Sequence, residues 1–127
     1  MSTRSTISTD KAPAAIGPYS QAVQAGSLVF LSGQIPLVPD TMEMIEGGID
    51  AQTHQVLKNL SAVAVAAGGS LDNIVKLTIY MTDLADFGVV NDIMTQYFSA
   101  PYPARATVQV SALPRNAAVE IDGIMEL

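Results

Sequence analysis

The sequence predicts an α+β domain, a mixed β-sheet with two helices packed on one face. Three observations lead there. Apolar and polar residues alternate over residues 75–81 and again over two segments near the end of the chain, which is the period of a half-buried strand. Two longer stretches, before and after residues 75–81, follow helical spacing instead. Each helical stretch stands between strand-like ones, and connections of that length can cross over the sheet and leave both helices on the same side.

In chain order, residues 19–25 and 28–34 read as two strands, and the short Gly26-Ser27 link between them favours a hairpin. Residues 36–48 hold two Pro and two Gly and read as a loop with room for a short extra strand. From Ile49 to Ala67 the residues Ile49, Val56, Leu57, Leu60, Val63, Ala64 and Ala67 form one apolar stripe that Gly68-Gly69 ends. Val75, Leu77, Ile79 and Met81 then mark a strand. Asp83 is the natural N-cap of a second helix whose stripe runs through Leu84, Phe87, Val90, Met94, Tyr97 and Phe98 until Pro101 and Pro103 stop it. Residues 104–110 and 118–125 close the chain as two more strands. The polar residues Thr78, Tyr80, Arg105, Thr107 and Gln109 are expected to share the sheet face that the helices leave open.

The chain has 127 residues with no internal repeat or linker, so residues 1–127 are expected to form a single domain. Charged residues make up only 14% of it and apolar ones 49%, which leaves little ionic surface and points to burial against further copies of the chain. Six basic against twelve acidic residues, a net charge of −6, argue against nucleic acid as a partner. With no cysteine there is no thiol chemistry, and the one histidine, His54, reads as a surface residue with no second ligand beside it, so no metal is expected. No apolar run has the length of a signal peptide or of a membrane span, and a cytoplasmic protein is the expectation.

Arg4 and Arg115 fall in a tail and a turn, where solvation explains them. Arg105 does not: it stands between Ala104 and Ala106 in a strand, where an unpaired guanidinium is costly. Two readings remain open, an ion pair with Glu120 or Asp122 and a bidentate clamp for a substrate carboxylate. Glu120, between Val119 and Ile121, is either a solvent-facing strand residue or a carboxylate that holds a water. Asp122 shares its face. Tyr19 follows a Gly-Pro turn, and Ser32-Gly33 sits at a strand end; both places suit a site edge as well as ordinary turn chemistry.

The segments Ala12-Pro13-Ala14-Ala15-Ile16-Gly17-Pro18-Tyr19-Ser20-Gln21-Ala22, Phe30-Leu31-Ser32-Gly33-Gln34-Ile35-Pro36, residues 75–87, and Pro103-Ala104-Arg105 through Val119-Glu120-Ile121 occur in this order. Together they resemble the RidA (YjgF-like) family of enamine/imine deaminases, and the resemblance spans nearly the whole chain. It implies a chorismate-mutase-like fold assembled as a homotrimer with ligand clefts between subunits. It also implies a cofactor-free hydrolysis of 2-iminopropanoate or 2-iminobutanoate to a 2-keto acid and ammonia. Carried over by position, Arg105 clamps the carboxylate, Glu120 positions the water and Tyr19 closes the cleft near the nitrogen. Ser32, Gly33 and the backbone of Thr107 line the ligand. Asn91 sits in a family-like context but reads as a helix-surface amide. The chain departs from many deaminase members in carrying Ala106-Thr107 where they have a serine and a cysteine, and its segment between Phe98 and Pro103 is short.

Overall fold

The computed structural model describes residues 4–127. Among these residues six strands form one sheet: β1 (Arg4–Ile7), β2 (Ala22–Ala25), β3 (Leu28–Gln34), β4 (Ile74–Met81), β5 (Ala104–Gln109) and β6 (Val119–Glu126). They lie in the order β1-β2-β3-β6-β4-β5, antiparallel except for the parallel pair β4 and β5. The helices α1 (Ile49–Ala66) and α2 (Phe87–Met94) cover one face, with α1 lying across β3 and β6 and against α2. This is the expected α+β arrangement.

The core lies between α1 and the sheet. Val56, Leu57, Leu60 and Val63 on α1 meet Val29, Leu77, Ile79, Met81, Ile121 and Met125, and all of these are fully buried. Burying large aliphatic side chains at roughly 1.5–3 kcal/mol each is what holds the two layers together. The hairpin forms as expected, with Ala25 opposite Leu28 and Gly26 in the left-handed region at φ 63°, where a side chain would be strained. The short extra strand within residues 36–48 is a single bridge between Leu37 and Met44.

Three elements differ from expectation. The polar start supplies an edge strand, β1, which pairs with β2 through its backbone and needs little apolar content. Residues 19–21 lie before β2 as the end of a strap that runs from residue 9, because the side chain of buried Gln21 is spent on that segment: its amide donates to the carbonyls of Thr9, Ala12 and Pro13, and its Oε1 accepts from the Thr9 amide. The second helical stretch is shorter than its stripe. Asp83 caps not α2 but the 3₁₀ turn Leu84–Asp86 before it, accepting from the Ala85 amide at 2.9 Å; α2 follows Asp86, which makes no side-chain cap, and at its end the Thr95 hydroxyl turns back onto the Asp92 carbonyl at 2.6 Å.

The register also corrects the expected polar face. Leu77 pairs with Arg105 and Ile79 with Thr107, so Arg105, Thr107 and Gln109 share the helix-bearing side. Thr78 and Tyr80 pair with Asp122 and Glu120 on the open side. β5 is an edge strand, and Arg105 and Gln109 stay exposed on the helix-bearing side, while Thr107 between them is partly buried.

Candidate active site

Tyr19, Gly33 and Glu120 come together at one hollow of about 380 Å³, whose walls include Ile16, Leu37 and Arg115. Each arrives there for a local reason. Glu120 points out of the open face because Val119 and Ile121 on either side of it are buried under α1. Gly33 lies where the pairing of β3 with β6 shifts register between Leu31 and Gln34, and a Cβ there would lie 3.0 Å from Cδ and 3.2 Å from Cγ of Glu120. Only glycine leaves the carboxylate its place. Tyr19 is half exposed, and its hydroxyl accepts from the Ile16 amide at 3.3 Å, folding the strap back on itself.

Burial of the Glu120 carboxyl pushes its pKa above the usual carboxylate range, and the negative charge of Asp122 on the same strand adds to the rise. Asp122 itself accepts from the Tyr80 hydroxyl at 3.0 Å. Tyr80 in turn has a raised pKa, first because of that hydrogen bond and then because of burial.

Arg105 lies elsewhere. Its guanidinium rests over the Phe87 ring, 5.1 Å from the centroid, donates through Nη1 to the Asn91 side-chain oxygen, and lies 3.9 Å from the Met94 sulfur. None of these partners is acidic, which overturns the ion pair with Glu120 or Asp122; the register places those two carboxylates across the sheet from it. A second hollow of about 500 Å³, lined by Asn91, Phe98, Tyr102 and Arg105 among others, opens beside it. Within one subunit, then, the cation and the carboxylate occupy different hollows.

The other expected site residues divide. Ser32 spends its hydroxyl on the Ser20 carbonyl at 2.6 Å and its amide on the Gln21 carbonyl at 3.0 Å, so it tethers the strap that carries Tyr19. The Thr107 hydroxyl is buried and has no hydrogen-bond partner among the described residues. Asn91, expected as a free surface amide, holds Arg105. Phe87, Asn91 and Met94 stand at i, i+4 and i+7, one face of α2, and that spacing was the signal that links the helix to Arg105. Arg115 is more than a solvated turn residue: its Nη1 donates to the Met42 carbonyl at 2.7 Å while the side chain walls the Glu120 hollow. His54 is likewise no isolated surface residue, since its Nδ1 lies 2.8 Å from the Tyr97 hydroxyl and ties α1 to the segment after α2. Among the described residues no group of three or more His, Asp or Glu side chains is placed to hold a metal ion, and no helix is long and apolar enough to cross a membrane.

A family described as Endoribonuclease L-PSP, the RidA/YjgF family, matches residues 9–127. The chain belongs to the RidA family. A mouse RidA relative named 2-iminobutanoate/2-iminopropanoate deaminase is 50% identical over 121 residues, covering 95% of this chain and 90% of its own. The crystal structure of RidA from an Antarctic Psychrobacter is 52% identical, with a TM-score of 0.94 over 97% of this chain and 99% of that one. Escherichia coli TdcF with bound serine is 44% identical, with a TM-score of 0.92 over 97% of this chain and 98% of its own.

Proposed function

We propose that the protein is an imine deaminase that hydrolyses short 2-imino acids, 2-iminopropanoate and 2-iminobutanoate, to 2-keto acids and ammonia. The reaction takes place in clefts between the subunits of a homotrimer, where Arg105 of one subunit faces the Glu120 hollow of the next. The observation that carries this reading is the separation of the two hollows. Glu120, a carboxylate suited to accept from water, and Arg105, a guanidinium suited to bind a carboxylate, line different hollows, and neither reaches the other within its own subunit. The deaminase name of the mouse relative supports the chemistry, and the serine bound to TdcF is a small amino acid carrying the same carboxylate.

The residues then divide the work. Arg105 presents a planar fork to the substrate carboxylate and, fixed by Asn91 and Phe87, orients C2 toward Glu120. Glu120 takes a proton from water as the oxygen adds to C2 and the C=N π electrons move to nitrogen. Glu120 passes that proton to the nitrogen to give a carbinolamine, then takes the hydroxyl proton as C=O forms and the C–N bond breaks, and hands this second proton to the departing nitrogen, so that ammonia leaves and the carboxylate is ionised again. Tyr19 closes the hollow, with its phenol hydrogen available to the leaving nitrogen. None of these steps calls for a cofactor, and we place the activity in the cytoplasm.

The family description names an endoribonuclease, but a net charge of −6 with three arginines and three lysines offers little to neutralise phosphates, and imine hydrolysis is the better fit. The test couples the protein to an amino-acid oxidase that releases 2-imino acids and traps the survivors with semicarbazide. Wild type is expected to suppress the trapped product, and Arg105→Ala to lose at least about 100-fold of that activity, in line with a lost charge-assisted clamp. No suppression by either protein would instead indicate a module that binds small carboxylates without turning them over.

A further inference from the structure

Glu120 is not alone on its face of the sheet. Tyr80 of β4 is its direct cross-strand partner, and Asp122, two residues along β6, lies opposite Thr78. Tyr80 therefore stands with its ring beside Glu120, yet its hydroxyl reaches along the strand to Asp122, at 3.0 Å. Among the described residues no donor or cation engages the Glu120 carboxylate, while Asp122 is held in a fixed place on the same face. Residues two apart on a strand are separated by about 6–7 Å, within the range at which one charge acts on another across a half-buried surface.

We propose that Asp122, held by the Tyr80 hydroxyl, is a positioning residue that acts through Glu120: its fixed negative charge makes that carboxylate a stronger base for the attacking water than a lone carboxylate at the same place. The inference rests on the deaminase reading for its catalytic meaning. Burial and the Asp122 charge both act on Glu120 in this direction. The remaining groups that face Glu120 are few. Tyr80 comes from β4, Tyr19 from the strap, and Arg115 from the turn before β6, while β3 contributes no charged side chain. Lys76 lies further along β4, opposite Ile124, next to Asp122's end of the face and not Glu120's. Arg105 of the adjacent subunit, in the proposed assembly, opposes the Asp122 effect. A base caught between these charges can take a proton from water and give it back.

The experiment is the pH profile of kcat/KM on 2-iminobutanoate for wild type, Asp122→Asn and Tyr80→Phe. Glu120 must be ionised to act, so the rate falls as pH drops through its raised pKa. Asp122→Asn keeps an acceptor for Tyr80 but removes the charge, so the acid limb is expected to move to lower pH by about half a unit to one unit. The plateau rate is expected to fall a few-fold as the base weakens. Tyr80→Phe keeps the charge, so its acid limb stays above that of Asp122→Asn. Titrating the Glu120 carboxyl by ¹³C NMR in substrate-free protein reads the same shift without turnover. If wild type hydrolyses no imine, the deaminase reading fails while the NMR comparison still decides this one. Glu120 titrating at the same pH in wild type and Asp122→Asn overturns the proposal. Should Asp122→Asn not fold, Asp122→Thr, which suits a strand, takes its place in both measurements.

Discussion

At Gly33 a Cβ would press on the Glu120 side chain from Cγ to the carboxylate, the mobile end of a flexible group. Gly33→Ala therefore displaces the carboxylate without breaking the sheet. The expected outcome is a thermal midpoint close to wild type together with a loss of about 100-fold or more in imine hydrolysis, the scale on which misplacing a reacting group by about an ångström acts. Circular dichroism melting alongside the semicarbazide assay separates the two effects. Arg105 and Glu120 were legible in the sequence because a charge between aliphatic strand residues conflicts with the pattern around it. The partner of Arg105 was not, since an ion pair on paper requires only opposite charges, whereas the register decides which side of the sheet each side chain takes. The sequence marks Ser32 by its hydroxyl at a strand end, and its role as a tether depends on a strap 12 residues away.

Among the elements, the strap of residues 9–21 does for Tyr19 what α2 does for Arg105. Gln21 is 4% exposed and satisfies four backbone groups of residues 9–13 with one amide. Gln21→Leu fits the space but orphans those groups, some of them buried, and is expected to destabilise the fold by about 2 kcal/mol. A lower urea midpoint together with faster amide exchange across residues 9–19 would show it; an unchanged midpoint would mean that the strap is held by other contacts. Strong periodicity made α1, β4 and β6 readable in advance. β1 leaves no mark in the sequence because its pairing is made by backbone atoms. The stripe of α2 runs past its end because Tyr97 and Phe98 stay packed on the core after the helix stops, Phe98 as a buried residue and Tyr97 beside it.

The whole molecule presents one sheet face covered by helices and one left open, with apolar Phe30 and Val108 exposed among Thr78, Tyr80, Glu120 and Asp122 on the open side. A surface of this kind, on a chain with so little charge, suits association with its own copies. The central claim is that each reaction site takes Arg105 from one subunit and Glu120 from another. Mixing tests it most directly. Arg105→Ala and Glu120→Gln, each nearly inactive alone, are unfolded together, refolded in equal amounts, and assayed for imine hydrolysis. In a ring of three, a site is restored wherever a subunit that keeps Arg105 precedes one that keeps Glu120, so about a quarter of wild-type activity is expected to return. A mixture as inactive as its two components would contradict the account, because it would place both residues of every site in a single subunit.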